Sequence, residues 1–483
     1  MKKESNFILL KNSIFNIVYN LINVFFPLIS ASYAARILLP EGIGKVSYAS
    51  NIVSYFVLLA TLGLPSYGIK MIGLTSNDEE SKRKTFSELF LINLLTSTIA
   101  IISFIVCLLV IPKLRVNCFL YLILGIQLIF CYFNVDWYFR GNENYFFIVS
   151  RNILIKILFL ICLISFVKSK EDIYNYTAII SAFASLNYLV NFVYISRHTK
   201  LRFKNLDLNK HIKPILLLSV TLVFSTIYSK IDVLMLGDMA SDWNVGIYEN
   251  AHKIQNTITT ACVSITAVFL PKLSYYYEKN KDSFIKLLNK GLNIIIFITI
   301  PSAFGVFILA DNIINMLFGE AFAASAQVLK WFSLLIAIKG IGDLICYQMI
   351  ISIGKEAVFV PVAIIAATIN IGLNYVLIPI YIQNGAAIAS VVSELILNSV
   401  LFIVSRHFIK YKIDFEILIK AIISTMFMSA LVFGITKLHC SDTIICCIGV
   451  FGGLFVFFGS NLALKNKLLF DLYFQVKNKI GEQ

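Results

Sequence analysis

Four of the ionisable residues inside long apolar stretches of this chain lie near the middle of the stretch: Lys156, Lys253, Asp343 and Glu394. A charged side chain at the centre of a bilayer costs ~2.5–3.5 kcal/mol on insertion scales, so such residues usually face a cavity and mark a path. A lysine at this depth would hold an anion such as a phosphate, because its ammonium group is a mobile point charge. The two carboxylates would suit a coupling ion, a gate or an organic cation.

Lys156 and Lys253 are the residues we predict to hold an anionic headgroup. At a rise of 1.5 Å per residue, Lys156 lies roughly 16 Å from the start of its apolar stretch, near the middle of a bilayer. The competing account is structural pairing, with Glu394 as partner of Lys156, and Glu249 or Asp232 as partner of Lys253. Glu249 lies four residues before Lys253, a spacing at which side chains meet on one helix face.

The remaining charges give further candidates. Lys339 and Asp343 are also four residues apart and could neutralise each other. Arg36 and Lys230, nearer the outer face, are predicted to bind the headgroup next. Lys230 is the weaker candidate, because the more polar stripe of its span places it away from the lumen. The residues predicted for coupling or gating are Asp232, Glu249, Lys339, Asp343 and Glu394.

Asparagines at helical spacing predict which helix faces line the path. Uncharged polar stripes have two interpretations of equal weight, because Asn and Ser side chains also bridge neighbouring helices in membranes. The predicted cavity-lining residues are Asn16, Asn20, Asn23, Asn51, Asn370 and Asn374.

Composition requires that these residues be carried by membrane helices. The chain has 483 residues, of which 58% are hydrophobic and 14% charged, and its mean hydropathy is +0.82. Apolar runs near the ~20 residues that cross a bilayer recur from end to end, so the predicted fold is all-α with about 14 spans. The spans are 14–37, 43–64, 86–111, 119–139, 145–167, 173–195, 214–236, 245–270, 291–309, 331–353, 357–380, 383–404, 417–436 and 443–464.

No soluble catalytic site is expected between the spans, because every loop is short. The sequence lacks a P-loop motif for nucleotide hydrolysis. Its five histidines are scattered near span ends without metal-ligand spacing, so we expect interfacial positions and no metal or other cofactor. The protein is therefore not expected to be an enzyme.

Basic residues between the spans set the orientation. The N-terminal tail, every second loop and the C-terminal tail carry 27 Lys and Arg, whereas the opposite loops carry 6. The positive-inside rule then places both termini in the cytoplasm, and the basic loops against anionic lipid rather than nucleic acid. Weak similarity between the halves predicts two six-helix lobes, 1–196 and 214–404, joined by a basic connector, 197–213, and followed by two extra helices and a tail, 405–483.

Several motifs resemble one family of membrane proteins. They are Arg-x-Leu-x-Pro-x-Gly-x-Gly from Arg36, Asp-x-x-x-Leu-Gly from Asp232, Val-Gly-x-Tyr-x-x-Ala-x-Lys-Ile from Val245 and Leu-Pro-Lys-Leu from Leu270. Together with NIINMLFGEAF and the run across predicted spans eleven and twelve, they resemble Wzx-type flippases of the multidrug/oligosaccharidyl-lipid/polysaccharide exporter superfamily. These flippases carry O-antigen and capsule repeat units.

This resemblance implies two six-helix lobes around a cationic cavity. It implies transport of an undecaprenyl-diphosphate-linked oligosaccharide from the cytoplasmic to the outer leaflet by alternating access, in a bacterial inner membrane. H⁺ or Na⁺ coupling and polysaccharide polymerase or assembly partners would accompany that activity. Two rivals stay open: a multidrug antiporter of the same superfamily, favoured by acidic sites, and a glycan polymerase or ligase. The polymerase would need a large catalytic outer loop, but the longest predicted one, 310–326, carries only Asp311 and Glu320.

Overall fold

The computed structural model describes residues 2–75, 78–199, 201–202 and 206–470, apart from the side chains of residues 2–22, Tyr145, His198 and Thr221. The described residues form helices and turns and contain no strand. Contacts divide the chain into two compact units, Met1–Gly237 and Asp238–Gln483. The helices that begin in the first unit are α1 (Lys2–Thr61), α2 (Leu64–Leu74), α3 (Glu79–Val110), α4 (Pro112–Val116), α5 (Cys118–Phe130), α6 (Asp136–Gly141), α7 (Tyr145–Phe166), α8 (Ile173–His198) and α9 (Asn209–Met239).

Helix α1 contains the first two predicted spans, joined across a break. Leu39 has φ 61° and ψ 174°, which are not helical values, and Pro40 follows it. Proline has no N–H to donate and excludes helical geometry at the residue before it, so the break falls at the Arg36–Gly44 signature.

The fourth predicted span is divided by a break that another helix stabilises. Helix α5 ends at Phe130, a 3₁₀ turn covers Cys131–Phe133, and α6 starts at Asp136. Asn93 of α3 donates its side-chain amide to the carbonyls of Cys131 (2.8 Å) and Tyr132 (3.2 Å). These bonds satisfy carbonyls that the broken helix leaves exposed in a low-dielectric interior.

Aromatic side chains fill the core of the first unit around α2, α3 and α6. Phe86 and Phe139 are almost fully buried, and the Phe86 ring lies 5.7 Å from that of Trp137. A Cβ at Gly68 would lie 2.7 Å from the Trp137 ring, so only glycine lets α2 approach α6 this closely. The packing fixes α6, which carries Asp136 and Arg140.

The helices of the second unit pack around α12. They are α10 (Asp242–Thr266), α11 (Phe269–Lys279), α12 (Lys281–Phe318), α13 (Ser325–Gly342), a π-helix (Asp343–Met349), α14 (Ile350–Ser352), α15 (Phe359–Tyr381), α16 (Gln383–Phe408), α17 (Phe415–Thr436) and α18 (Asp442–Ala463). Phe297 and Leu309 of α12 pack with Met428 and Val432 of α17 and Phe457 of α18. The two C-terminal helices therefore belong to the core of this unit.

The described residues contain 11 helices long and apolar enough to cross a membrane, or 12 if the pair α10 and α11, bent by 40°, is one span. The all-α prediction is confirmed, but the exact number of 14 is not. The difference lies in three places: the bent pair, the single stretch Asn23–Leu74 where we predicted two spans, and the shorter apolar helix Cys118–Phe133.

The compact units divide at Gly237, whereas the sequence boundary between lobes was drawn at residues 197–213. Helix α9, our seventh span, is grouped with the first unit because its early turns pack on α2: Ser219 Oγ accepts a 2.8 Å hydrogen bond from the N–H of Gly63. The assignment of 214–404 as a second six-helix lobe stays a prediction.

Candidate functional site

Lys156 is held on α7 by neutral groups of α1. Its ammonium donates a hydrogen bond to Oδ1 of Asn23, and it lies 5.0 Å from the centre of the Phe26 ring. Among the described residues of the first unit, no carboxylate lies within ion-pair distance of it. A half-buried cation that meets only an amide and an aromatic face keeps its net charge available for an anion.

Lys253, on α10 of the second unit, is also half-buried. Glu249, one helical turn earlier, acts on it electrostatically. No ion pair within 4.0 Å joins Lys253 to another described residue. The predicted self-pairing is therefore a through-space interaction in this conformation, not a hydrogen-bonded salt bridge.

Lys339 has a different partner from the one that its spacing suggested. Its ammonium lies 3.9 Å from Oε2 of buried Glu394 on α16, and Glu394 also accepts a 3.1 Å hydrogen bond from Asn398. Asp343 instead accepts a 3.0 Å bond from Gln348. The structure thus brings two of the predicted coupling residues, Lys339 and Glu394, together across helices.

Asp343 begins the π-helix Asp343–Met349. Such one-turn widenings of an α-helix occur frequently at functional sites. Gln348 bonds both Asp343 and Thr266 of α10, at 3.0 Å and 3.1 Å. Gly342 precedes the π-helix, and a Cβ there would lie 1.7 Å from Oδ1 of Asn398. The local geometry therefore needs glycine and links this turn to the Glu394 network.

Arg36, Lys230 and Asp232 lie in the first unit. Arg36 is exposed, whereas Asp232 is buried with 6% of its surface accessible. Lys230 donates a 2.7 Å hydrogen bond to Ser54 of α1. Lys230 thus contacts a polar residue of the predicted second span.

The asparagine positions do not decide between the two interpretations. Asn23 of α1 accepts a hydrogen bond from Lys156 of α7, so it joins two helices. Asn51 is buried and donates to the carbonyl of Ser47 at 2.9 Å, and Asn374 donates to Oδ1 of Asn370 at 3.1 Å. These last three are engaged within their own helices. The side chains of Asn16 and Asn20 lie outside the described residues.

An arginine that the sequence reasoning passed over organises a polar cluster of the first unit. Arg151 of α7, 8% exposed, donates to Asn191 of α8 and, at 3.2 Å, to Asp136 of α6. Asp136 also accepts 3.0 Å and 3.1 Å bonds from Arg140 and Asn191. The signal was present in the sequence, because Arg151 is an ionisable residue inside a predicted span.

These residues border a cavity of about 420 Å³ between α2, α6, α7 and α8. Its lining combines charged groups, amides, aromatic rings and a few apolar side chains: Pro65, Ile69, Asn134, Asp136, Trp137, Arg140, Arg151, Ala184, Asn187, Tyr188 and Asn191. The size is within the ~300–1,000 Å³ range of small-molecule sites.

A second missed cluster ties the connector to α3. Glu88 and His211, both fully buried, are joined by a 2.9 Å hydrogen bond, and Tyr67 contacts the other ring nitrogen at 2.8 Å. Glu88 also accepts bonds from Lys210 (2.8 Å) and from the N–H of Asp207 (2.9 Å). His211, expected at the membrane interface, is thus buried in the protein.

No group of three or more His, Cys, Asp or Glu side chains suited to a metal ion occurs among the described residues. The arrangement in each unit offers cations, carboxylates and amides for binding and for gating.

Comparison with known proteins gives a family match and several relatives. The profile of the family described as polysaccharide biosynthesis protein matches residues 9–277, more than half of the chain. A putative O-antigen transporter of Shigella dysenteriae is 24% identical over 382 residues, which cover 78% of this chain and 94% of that protein. The capsular polysaccharide biosynthesis protein CapF of Staphylococcus aureus is 25% identical over 412 residues, covering 80% and 97%.

One further relative matches over a shorter region. The probable low-salt glycan biosynthesis flippase Agl15 of Haloferax volcanii is 25% identical over 238 residues. That match covers 48% of this chain, and the chain spans about half of the relative's length, 49%.

Several solved structures share the fold, including a lipid flippase and a multidrug transporter. The lipid II flippase MurJ in an inward closed conformation aligns with a TM-score of 0.74 and 17% identity, covering 95% of this chain and 99% of MurJ. An inward-facing multidrug resistance transporter of the MATE family aligns with a TM-score of 0.61 and 13% identity, covering 82% and 97%. At such identities the likeness shows the all-α fold and nothing about substrate.

Proposed function

The chain belongs to the polysaccharide biosynthesis protein family, and from this premise we propose that it is a lipid-linked oligosaccharide flippase. The cargo is an oligosaccharide repeat unit on undecaprenyl diphosphate, moved from the cytoplasmic to the outer leaflet by alternating access for surface polysaccharide synthesis. The family and the names of the relatives support this function over the alternatives.

The observation that carries the proposal is the environment of Lys156. A cation in a membrane-spanning helix normally has a carboxylate partner or faces water, because an unpaired charge is costly there. Lys156 has an amide and an aromatic ring instead. A diphosphate crossing the membrane needs a compensating cation, and an ammonium without an anionic partner among the described residues of the first unit supplies one.

Lys253 is proposed as the second cation for the headgroup. It belongs to the second unit. Arg36 and Lys230 are proposed to take over nearer the outer face. Asp232, Glu249, Lys339, Asp343 and Glu394 are proposed to couple or gate the cycle.

A second candidate function, multidrug antiport, has one observation in its favour. Buried carboxylates bind organic cations, and Glu394 is 8% exposed in the second unit. However, Glu394 already lies 3.9 Å from Lys339 and accepts from Asn398, which reduces the charge available to a cationic drug. The flippase is therefore the function we favour.

The protein is a multi-pass membrane protein and a transporter. We propose that it resides in a bacterial inner membrane with both termini in the cytoplasm, as the distribution of basic residues favours. Its proposed partners are H⁺ or Na⁺, anionic lipids and the polysaccharide polymerase or assembly proteins, without nucleic acid. It is proposed to do no covalent chemistry, since flipping a lipid breaks no bond.

The test uses full-length variants expressed in cells that lack the native gene. Lys156→Gln and Lys253→Gln should lower export at least ~10-fold, because each removes a charge-assisted contact of ~1.5–3 kcal/mol, whereas Lys→Arg should keep part of it. The control is Lys279→Gln, which removes an exposed charge from α11. Surface polysaccharide and cytoplasm-facing lipid-linked glycan would be measured at matched membrane levels.

Normal export by both Gln variants would refute the cation assignment. Deletion that left surface polysaccharide unchanged but abolished dye efflux would support the antiporter instead.

A further inference from the structure

The cavity bordered by Arg151 lies apart from the proposed diphosphate cations. Lys156 is five residues further along α7, which places it ~7.5 Å deeper and ~140° around the helix. The two basic side chains also have different neighbours, since Lys156 meets α1 and Arg151 meets α6 and α8. We propose that this cavity binds a glycosyl phosphate, as a separate site for the sugar-phosphate part of the cargo; this rests on the proposed function.

The charges of the cavity favour an anion. Arg140 and Arg151 share one carboxylate, Asp136, which leaves a net positive charge. Arg151 donates to Asp136, Asn191 and Asn152, so it holds the carboxylate in place. Arg140 uses only its Nε for Asp136, and no described residue accepts from its two terminal nitrogens. A half-exposed guanidinium with that free edge matches two phosphate oxygens.

The remaining lining favours a hydroxylated ligand over bare phosphate. Among the described residues, no protein group hydrogen-bonds the side-chain amide of Asn134, Oδ1 of Asn187 or the hydroxyl of Tyr188. Polar groups at a cavity wall normally find partners, and sugar hydroxyls both donate and accept. The Trp137 ring, 2% exposed, forms part of the cavity wall beside them.

The position of the cavity suits cargo arriving from the cytoplasm. It is formed by α6 and the first turns of α7, and the connecting segment 142–144 belongs to the basic, predicted cytoplasmic side. A phosphorylated sugar would therefore meet this cavity before Lys156.

Trp137 supplies a direct readout. The chain has three tryptophans, so Trp243→Phe and Trp331→Phe leave Trp137 as the only one. The purified full-length protein in nanodiscs would be titrated with glucose 1-phosphate, inorganic phosphate and glucose while tryptophan fluorescence is recorded. We expect a saturable change with glucose 1-phosphate, and weaker binding of the other two.

Variants separate binding from structure. Arg140→Gln should weaken glucose 1-phosphate binding at least ~10-fold, and Tyr188→Phe, which removes one unpartnered hydroxyl, ~3–10-fold. Arg406→Gln, an exposed arginine of α16, is the matched control and should leave binding unchanged. Melting temperature would confirm that each variant is folded, and export of the native cargo by Arg140→Gln should fall with its affinity.

Three results would overturn the site: no saturable signal, equal binding by Arg140→Gln, or equal affinity for inorganic phosphate and glucose 1-phosphate. Normal export by a variant that has lost binding would overturn its role in transport. If gene deletion left surface polysaccharide unchanged while the probe still bound in an Arg140-dependent manner, the proposed function would fail and the glycosyl phosphate site would stand.

Discussion

The cluster of Glu88 and His211 gives a sharp stability prediction. In Glu88→Ala, the N–H of Asp207 and the imidazole of His211 lose their acceptor, and Lys210 loses its anionic partner. A buried donor left unsatisfied costs ~1–3 kcal/mol. Lys210 is 43% exposed, so water can solvate it and its share is small. With one buried donor, one partly buried donor and some relaxation, we expect about 2–3 kcal/mol of lost stability.

The matched control is another glutamate of α3 that contacts the same chain segment. Glu80 pairs with Arg202, but its side chain is 76% exposed and that of Arg202 39%. Exposed ion pairs contribute ~0–1 kcal/mol, so Glu80→Ala should have little effect. The two variants differ chiefly in burial: Glu80 contacts Arg202, and Glu88 contacts Asp207 and Lys210.

The assay is thermal unfolding of the purified protein in a mild detergent, followed by the loss of monodisperse protein with temperature. Glu88→Ala should melt clearly below wild type, and Glu80→Ala close to it. A Glu88→Gln variant, which keeps one acceptor oxygen, should fall between them. If Glu88→Ala melted with Glu80→Ala, the buried hydrogen bonds would contribute no net stability and the reasoning would be refuted.

Three further predictions use other parts of the structure. Gly342→Ala should destabilise the protein by ~1–3 kcal/mol because its Cβ would overlap Asn398, whereas Gly372→Ala, with open space around it, should be neutral or stabilising by up to ~1 kcal/mol; equal melting temperatures would contradict this. Backbone hydrogen bonds from residues 168 and 169 hold the pKa of Asp172 below its usual 3.8. The ionised carboxylate therefore stabilises the fold above pH ~4, and this stabilisation is lost as the pH falls through the depressed pKa. The difference in melting temperature between wild type and Asp172→Asn should shrink over that range, and a constant difference would exclude an effect of ionisation. A reporter inserted at Lys170 should face the exterior and one fused to the C terminus the cytoplasm; the reverse result would invert the orientation.

The sequence determined the class of protein and its family. Apolar runs of span length predict helices because, in a bilayer, the backbone must satisfy its own hydrogen bonds. The motifs from Arg36 and Val245 were sufficient for the resemblance to polysaccharide flippases, which the family match confirms. Hydropathy also identified Lys156 as a candidate, because a charged residue within an apolar run can be recognised from the sequence alone.

Interruptions of the helices could not be located from hydropathy. The break after Phe130 depends on Asn93, a residue of another helix that bonds the freed carbonyls. The π-helix at Asp343 depends on contacts with α10 and α16. A window of apolar residues has the same hydropathy whether the helix is regular, widened or broken. Hydropathy depends on the residue types alone and contains no information on backbone geometry.

Partners of the charged residues were decided only by the tertiary structure. Spacing along one helix suggested that Lys339 meets Asp343, but Glu394, 55 residues away, is the neighbour. Arg151 of α7 donates a hydrogen bond to Asn191 of α8. His211 is hydrogen-bonded to Glu88, which lies 123 residues earlier in the chain. Sequence periodicity fixes which residues share a face of one helix. Which face meets which neighbour depends on the rotation and packing of every helix, and no local pattern contains that information.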